Sequence, residues 1–492
     1  DELNRGELGA FGNLLVDMFK SQLEADEAAA VRRQALLAQK AAAKDALELE
    51  LLGAELNKKE NRMSLCAKWA PREGKAYSAL AKLLAVRMDA TRIAAAGTEE
   101  GSLDAARKGA YAAYRRRVAA LNKAIQTTEV VMSDATDGGR WATLKPGSIP
   151  ARCLKRNRDA FFNEKLGHGD RQRQKVQRSS KPDRIKCAEV FTKHMEDAIK
   201  DAGKEGGKTV HGAALMPHEM VREMMKSDFQ EDLTIEAQWI DLRERLRAEG
   251  GGLKNFIPLC DVSGSMDGIP MEVSVAMGIL ISELNNPAFA NQFITFDASP
   301  TWHRLDPDDS FREKVRSSLR APWGTSTDFY KAMMLVLDTC KANSMPVEDL
   351  LQLKLIVFSD MQFDSSFSSR SGNTPFSTKY EQIKKMFKAQ GYVDPATGAA
   401  AVPRIIFWNL RGDTMDFPAD AEQPGVDMVS GFSQQGLKMF MDEGDLSAAP
   451  YEGLRKILDD ERYDSVRAVC AGSSEFTFCG TQYTIPPPHV TK

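Results

Sequence analysis

Past residue 254 the apolar residues fall into short blocks separated by turn-rich segments and by stretches with helical spacing. The blocks predict strands at 256–260, 292–296, 353–358, 404–409 and 426–430. Helical periodicity predicts helices near 270–285, 328–342, 378–389 and 433–441. Strands alternating with helices point to an α/β fold, a doubly wound, Rossmann-like domain with a mainly parallel sheet over 254–470.

The preceding half has a different rhythm. Residues 61–249 keep a helical period, broken at Pro71, Gly97 to Gly101, Asp137 to Gly139, Pro146 to Pro150, Gly167 to Gly169 and Gly203 to Gly207, and predict an α-helical domain. Its last helix carries Ile235, Trp239, Leu242 and Leu246 on one face and stops at Gly250-Gly-Gly252, a predicted hinge over 250–253. Residues 1–60 predict a helical arm, with Phe11, Leu14, Leu15, Met18, Phe19 and Leu23 on one face and an Ala/Glu/Lys/Arg-rich stretch after it. At the other end, 471–492 closes on Tyr483-Thr-Ile-Pro-Pro-Pro-His489, where the prolines forbid a helix and predict an extended tail.

Composition narrows the setting. The 66 basic and 69 acidic residues nearly cancel, so contact with a polyanion would have to be local. Seven scattered cysteines without a C-x-x-C pair suit a reducing compartment, so the expected location is intracellular, cytoplasmic or organellar. No run of eighteen apolar residues and no apolar signal core occur, and no membrane partner is expected. The chain opens on Asp1 rather than Met, consistent with upstream truncation or processing.

The candidate chemistry sits at predicted strand ends. Asp261-Val-Ser263-Gly-Ser265 follows the first strand, Thr327 lies in Gly324-Thr-Ser-Thr327-Asp328 before a helix, and Asp360 ends the strand Leu353 to Phe358. Parallel strands deliver their carboxyl ends to one edge, so Asp261, Ser263, Ser265, Thr327 and Asp360 can surround one hard cation with oxygen ligands. Asp267 and Asp328 flank this set; they read as helix caps or exposed first-turn acids, the alternative being acids that tune the site or reach the cation through water.

This pattern resembles the metal-ion-dependent adhesion site of von Willebrand factor A domains, with all five positions matched. The resemblance implies Mg²⁺ or another divalent cation held by the hydroxyls of Ser263, Ser265 and Thr327, with Asp261 and Asp360 acting directly or through water. One coordination position would stay open for an Asp or Glu of a protein partner. Ala213 to Glu219, Pro270 to Ala276, Thr327 to Phe329, Phe358 to Met361 and Ile406 to Leu410 are similar to a plant and viral family of unknown function that joins a helical region to such a domain, across about residues 61–470.

A second candidate is electrostatic. Residues 152–186 hold twelve Lys/Arg against four acids, a balance of +8, and Arg152, Lys155, Arg156, Arg158, Arg171, Arg173, Lys175 and Arg178 are the candidate RNA-binding residues. A solvated or disordered basic loop is an equally good reading of the same charge. The layout, helical body then A domain, is similar to the Ro ribonucleoprotein family, which implies RNA as the alternative partner.

Other motifs fail on context. Ala202 to Thr209 fits a relaxed phosphate loop, yet the residues before it read as helix rather than strand. Arg411-Gly-Asp413 reads as a turn after a strand. No G-x-S-x-G elbow, H-E-x-x-H pair or second acid two residues after Asp261 is present, so no catalytic residue is assigned. The expectation is a non-enzymatic, metal-dependent scaffold within a larger assembly.

Overall fold

The computed structural model describes residues 10–75, 77–133, 140–167, 175–204, 207–208, 210, 215–227, 232–248, 253–295, 297, 299–321, 328–361, 376–411, 424–432, 437, 440, 459, 475–478 and 481–484. The chain divides into two compact units, Asp1–Leu144 with Leu458–Lys492, and Lys145–Ile457.

Up to Leu144 the first unit is helical: α1 (Ala10–Ala42), α2 (Ala46–Asn57), α3 (Cys66–Trp69), α4 (Ser78–Met88), α5 (Ala90–Ala95), α6 (Glu100–Ile125) and α7 (Thr128–Ser133). Its core joins Val16 and Leu23 of α1 to Leu80, Ala81 and Leu84 of α4 and to Tyr114, Val118 and Leu121 of α6. The buried face of α1 keeps Leu23 and Phe19 of the predicted face but is shifted toward Val16, since Leu15 is 41% and Met18 37% exposed while Val16 is buried. The polar partner of that face explains the shift. Asp26 is buried and accepts hydrogen bonds from the Ser64 amide at 2.8 Å and the Ser64 hydroxyl at 2.6 Å, which fixes α1 against the segment before α3.

The second unit opens with α8 (Ala151–Phe161), an antiparallel pair β1 (Glu164–Leu166) and β2 (Lys175–Gln177), α9 (Pro182–Lys200), α10 (Pro217–Lys226) and α11 (Leu233–Ala248). The hairpin lies in a stretch that predicts helix alone. Beyond α11 the residues are β3 (Phe256–Cys260), α12 (Ile269–Leu284), β4 (Gln292–Thr295), β5 (Trp302–Arg304), α13 (Phe311–Arg320), α14 (Phe329–Ala342), α15 (Val347–Gln352), β6 (Lys354–Ser359), α16 (Phe376–Ala389), β7 (Arg404–Asn409) and β8 (Val426–Ser430).

Six strands form one sheet in the order β5-β4-β3-β6-β7-β8, parallel except for the edge strand β5. Pro258 has no N–H to give, and the ladder from β3 to β4 begins only at Leu259, while the ladder to β6 runs from Phe256 to Cys260. Side chains alternate between two cores. Phe256, Cys260, Phe293, Ile356, Phe358, Ile406 and Trp408 face α10 to α13, whereas Ile257, Leu259, Ile294, Leu355, Val357, Ile405 and Phe407 face α14 to α16. Coverage on both faces is why the strands read as continuous apolar runs. The fold is therefore α/β and doubly wound, as the alternation predicts.

The helices before β3 share this core. Met220, Val221 and Met224 of α10 and the predicted face Ile235, Trp239, Leu242 and Leu246 of α11 are buried with the sheet residues. The break between compact units accordingly falls after Leu144. Gly250 to Gly252 lie outside the described residues, and Leu253 is fully buried. Of the predicted helix 433–441, residues 437 and 440 alone are described, both helical. Within the expected tail, Glu475–Phe478 and Thr481–Thr484 pair as an antiparallel hairpin.

Candidate functional site

The chain leaves β3 toward β4 on one side and returns to β6 on the other, so the β3/β6 boundary is where the strand order reverses. Such a switch point opens a crevice beyond the carboxyl ends of its strands. Asp261 directly follows β3 and Asp360 directly follows β6, and each is 1% exposed. The Asp261 amide donates to the Phe358 carbonyl at 3.0 Å, continuing the ladder to the point where both acids leave it.

The Asp261 carboxylate is held at both oxygens. Oδ1 accepts from the Ser263 amide at 2.9 Å and Oδ2 from the Ser359 hydroxyl at 2.8 Å. Burial raises its pKa above the ordinary carboxylate range; the hydrogen bonds from Ser263 and Ser359 oppose this and the charge of Asp360 adds to it. Two buried carboxylates at one strand edge favour a positive counter-charge.

The loop after Asp261 tightens into a short 3-10 turn, Gly264–Met266, with the fully buried Met266 pinning it to the core. The turn sets the hydroxyls of Ser263 and Ser265 3.1 Å apart, both half-buried. On the β6 side the backbone swings away at Met361, whose φ of 60° is left-handed, and the Met361 amide donates to the Ser359 hydroxyl at 3.2 Å. A buried methionine in that region marks a turn held by its surroundings.

Four of the five sequence-derived ligands thus lie on this edge, and Thr327 lies outside the described residues. The donors are carboxylates and hydroxyls, a set that fits a hard divalent cation. The Cys260 thiol turns away and meets the Ser274 carbonyl at 3.4 Å. Among the described residues no cluster of three or more His, Cys, Asp and Glu gathers, so any site here depends on its hydroxyls. Asp328 caps α14, accepting from the Lys331 amide at 3.3 Å, and Asp267 is exposed, as their sequence positions suggest.

Two residues outside the predicted set belong to this edge. Ser359 fixes Asp261, and its place beside Asp360 at a strand end was the available signal. Arg411, two residues past β7, sends Nη1 to the Ser265 carbonyl at 3.1 Å. Its tripeptide reads as a simple turn in sequence. Gly412 and Asp413 lie outside the described residues, and the strand order carries Arg411 itself to the site.

The basic segment is less uniform than its charge. Lys155 faces Glu219 and Glu223 at 3.9 and 3.6 Å, Arg158 pairs with the buried Asp232, and Lys175 pairs with Glu164 at 2.8 Å. Arg152, Arg156 and Arg178 are exposed, and Arg171 and Arg173 lie outside the described residues. Lys208 of the glycine-rich loop binds Asp197 at 2.5 Å, and the loop follows helix α9, which removes the strand a phosphate loop requires.

Comparison with known proteins gives families without an assigned activity. Residues 255–470 match "Domain of unknown function (DUF7788)" and residues 14–174 match "Domain of unknown function (DUF2828)". The chain is 29% identical over 383 residues to "Uncharacterized protein L728" of Acanthamoeba polyphaga mimivirus, covering 77% of this chain and 58% of the viral protein. Among solved structures, the Deinococcus radiodurans RO (RSR) protein aligns with a TM-score of 0.30 and 13% identity, over 86% of this chain and 87% of that one. Among the described residues no helix is long and apolar enough to cross a membrane.

Proposed function

We propose that this chain is a non-enzymatic, divalent-cation-dependent interaction protein whose C-terminal α/β unit works as a von Willebrand factor A-like module and binds an acidic group of a partner. The observation that carries the reading is the pair of buried acids, Asp261 and Asp360, at the ends of adjacent parallel strands, beside two serine hydroxyls 3.1 Å apart. Asp261, Ser263, Ser265 and Asp360 would hold the cation, with Thr327 as the fifth ligand on the strength of the sequence pattern. When bound, Mg²⁺ supplies a positive centre with a coordination position for a carboxylate. The Arg411 guanidinium beside Ser265 adds positive charge on the rim. The helices would serve to scaffold an assembly.

The test is direct cation binding. Mn²⁺ titrated into the purified chain and followed by electron paramagnetic resonance should bind at one site and be lost in Asp261→Ala and Ser265→Ala, and acetate should then displace water from the bound ion. Equal Mn²⁺ binding by wild type and both variants would overturn the reading.

RNA binding is the second reading, favoured by Arg152 and Arg156, exposed one turn apart on α8, with Arg178 exposed beyond β2. It demands an affinity that falls steeply with salt and weakens in Arg152→Ala/Arg156→Ala. Salt-insensitive binding to single-stranded RNA, or none, rejects it.

A further inference from the structure

A second polar site lies on the sheet edge formed by β5. Helix α13 turns Phe311, Lys314, Val315 and Ser318 inward, all buried. A separate stripe at i, i+3, i+4 and i+7, namely Glu313, Arg316, Ser317 and Arg320, lines a cleft of about 460 Å³ together with His303 of β5 and Ala321. The alternation of β5 sends Trp302 to one sheet face and His303 to the other, where its ring lies 5.0 Å from that of Phe293. His303 Nε2 and the Ser317 hydroxyl are 3.1 Å apart, tying the edge strand to the helix at the cleft wall.

We propose that this cleft binds a phosphomonoester group. Arg316 and Arg320 stand one helical turn apart in the lining, and guanidiniums at that spacing offer forked donors to several oxygens of one phosphate. The Ser317 hydroxyl lies between them in sequence and adds a neutral donor. His303 is half-buried, and burial lowers its pKa; as a neutral imidazole its Nε2–H can donate to the Ser317 oxygen, which leaves the Ser317 hydroxyl proton for the phosphate. Glu313, the remaining acid on the stripe, is already engaged, since its carboxylate accepts from the Ser310 amide at 3.0 Å and the Ser310 hydroxyl at 2.7 Å in the cap of α13. With Arg316 and Arg320 against Glu313, the lining keeps a formal charge of +1 and favours an anion. A monoester carries close to two negative charges and three terminal oxygens, against one charge and two free oxygens for a nucleic-acid diester.

The experiment uses the full chain. Imidazole resonances of the six histidines, with His303 assigned through His303→Gln, are followed during titration with inorganic phosphate, free O-phosphoserine, a short phosphoserine peptide and a single-stranded oligonucleotide. Saturable movement of the His303 resonance by the phosphomonoester probes is expected. Arg316→Ala and Arg320→Ala should each weaken binding about tenfold, and the double variant should abolish it while keeping the wild-type unfolding midpoint. Tighter binding of free phosphoserine assigns the site to small phosphorylated compounds, and tighter binding of the peptide assigns it to phosphorylated protein segments. Absence of saturation by phosphate and phosphoserine, tighter binding of the oligonucleotide than of every monoester, or unaltered affinity in the double variant overturns the proposal.

Discussion

Lys314 Nζ lies 2.7 Å from Glu283 Oε1, and both side chains are 3% exposed. The pair joins α13 to α12 and does not stand alone. Glu283 also accepts from the Trp239 indole N–H at 2.9 Å, and Lys314 also donates to the Pro307 carbonyl at 3.2 Å. Trp239 is in turn stacked on Phe311, with ring centroids 4.0 Å apart. A buried pair satisfied in this way is neutral to stability as a unit, but removing Lys314 leaves the buried Glu283 carboxylate with the longer Arg243 contact, at 3.6 Å, as its remaining cationic partner among the described residues. Lys314→Met should therefore destabilise the second unit by up to about 3–5 kcal/mol, and Lys314→Met/Glu283→Leu should recover part of that, since Arg243 then loses its Glu283 contact. Urea denaturation followed by tryptophan fluorescence checks it. A double variant less stable than either single one would show that the pair itself contributes net stability.

Ser359 holds Asp261 from the neighbouring strand, which makes it a positioning residue for the proposed cation site. Such outer hydrogen bonds orient ligands and typically matter by one to two orders of magnitude in metal affinity. Ser359→Ala should weaken Mn²⁺ binding by about tenfold at a stability cost of about 1 kcal/mol. Ser359→Thr, which keeps the hydroxyl, should retain most of the affinity. Isothermal titration with Mn²⁺ separates these outcomes, and unchanged affinity in the alanine variant would remove Ser359 from the site.

The inner strands β3, β4, β6 and β7 were legible because they are buried on both faces and therefore read as apolar blocks, as in Leu355 to Phe358. The acids at their ends follow from the same reading, since a polar residue closing such a block sits at the sheet edge. What was not legible has physical causes. Strand β5 is three residues long at the sheet edge, with Trp302 and His303 half-buried, and offers too little pattern to detect. The pair β1–β2 sets the exposed Lys165 opposite Val176 and the exposed Lys175 opposite Leu166, too short and too charged a pattern to detect. The inner face of α1 was legible at Leu23 and Phe19 but not at Leu15 and Met18, because a buried acid, Asp26, helps define that face and hydrophobic spacing alone cannot weigh a carboxylate matched to Ser64. Arg411 was invisible as a site residue because only strand order places β7 beside β6.

Gly278 marks the closest approach of α12 to the sheet. A β-carbon there would lie 2.6 Å from Cys260 Sγ, with Phe293 next at 3.6 Å. Helix propensity favours alanine over glycine by about 1 kcal/mol, yet here the clash opposes that gain. Gly278→Ala should lower stability by about 1–3 kcal/mol, and adding Cys260→Ala should restore part of it by vacating the space. Chemical denaturation of the four proteins in the cycle measures the coupling, and strictly additive effects would contradict the contact.

His218 gives the chain an acid sensitivity of defined sign. The side chain is 2% exposed on α10, its ring stands edge-on to Phe432 at 5.0 Å, and Nδ1 meets no hydrogen-bond partner among the described residues. Burial pushes its pKa down to about 4; Arg222 and Lys155 act in the same direction, while Glu219 and Glu272 act against it. In the unfolded chain the imidazole returns to about 6.5. The unfolded state therefore binds a proton that the folded state refuses between these values. The contribution to stability is fully present above about pH 6.5 and is lost as pH falls toward about 4. By linkage the loss between pH 7.5 and pH 5.0 should be about 2 kcal/mol. His218→Phe keeps an aromatic ring against Phe432 and removes the titration, so its stability should fall less over the same interval. Urea unfolding of both proteins at pH 7.5 and 5.0 isolates this term, because the other titrating groups are common to the two. An equal loss in wild type and variant would show that His218 is not the group whose protonation opposes folding.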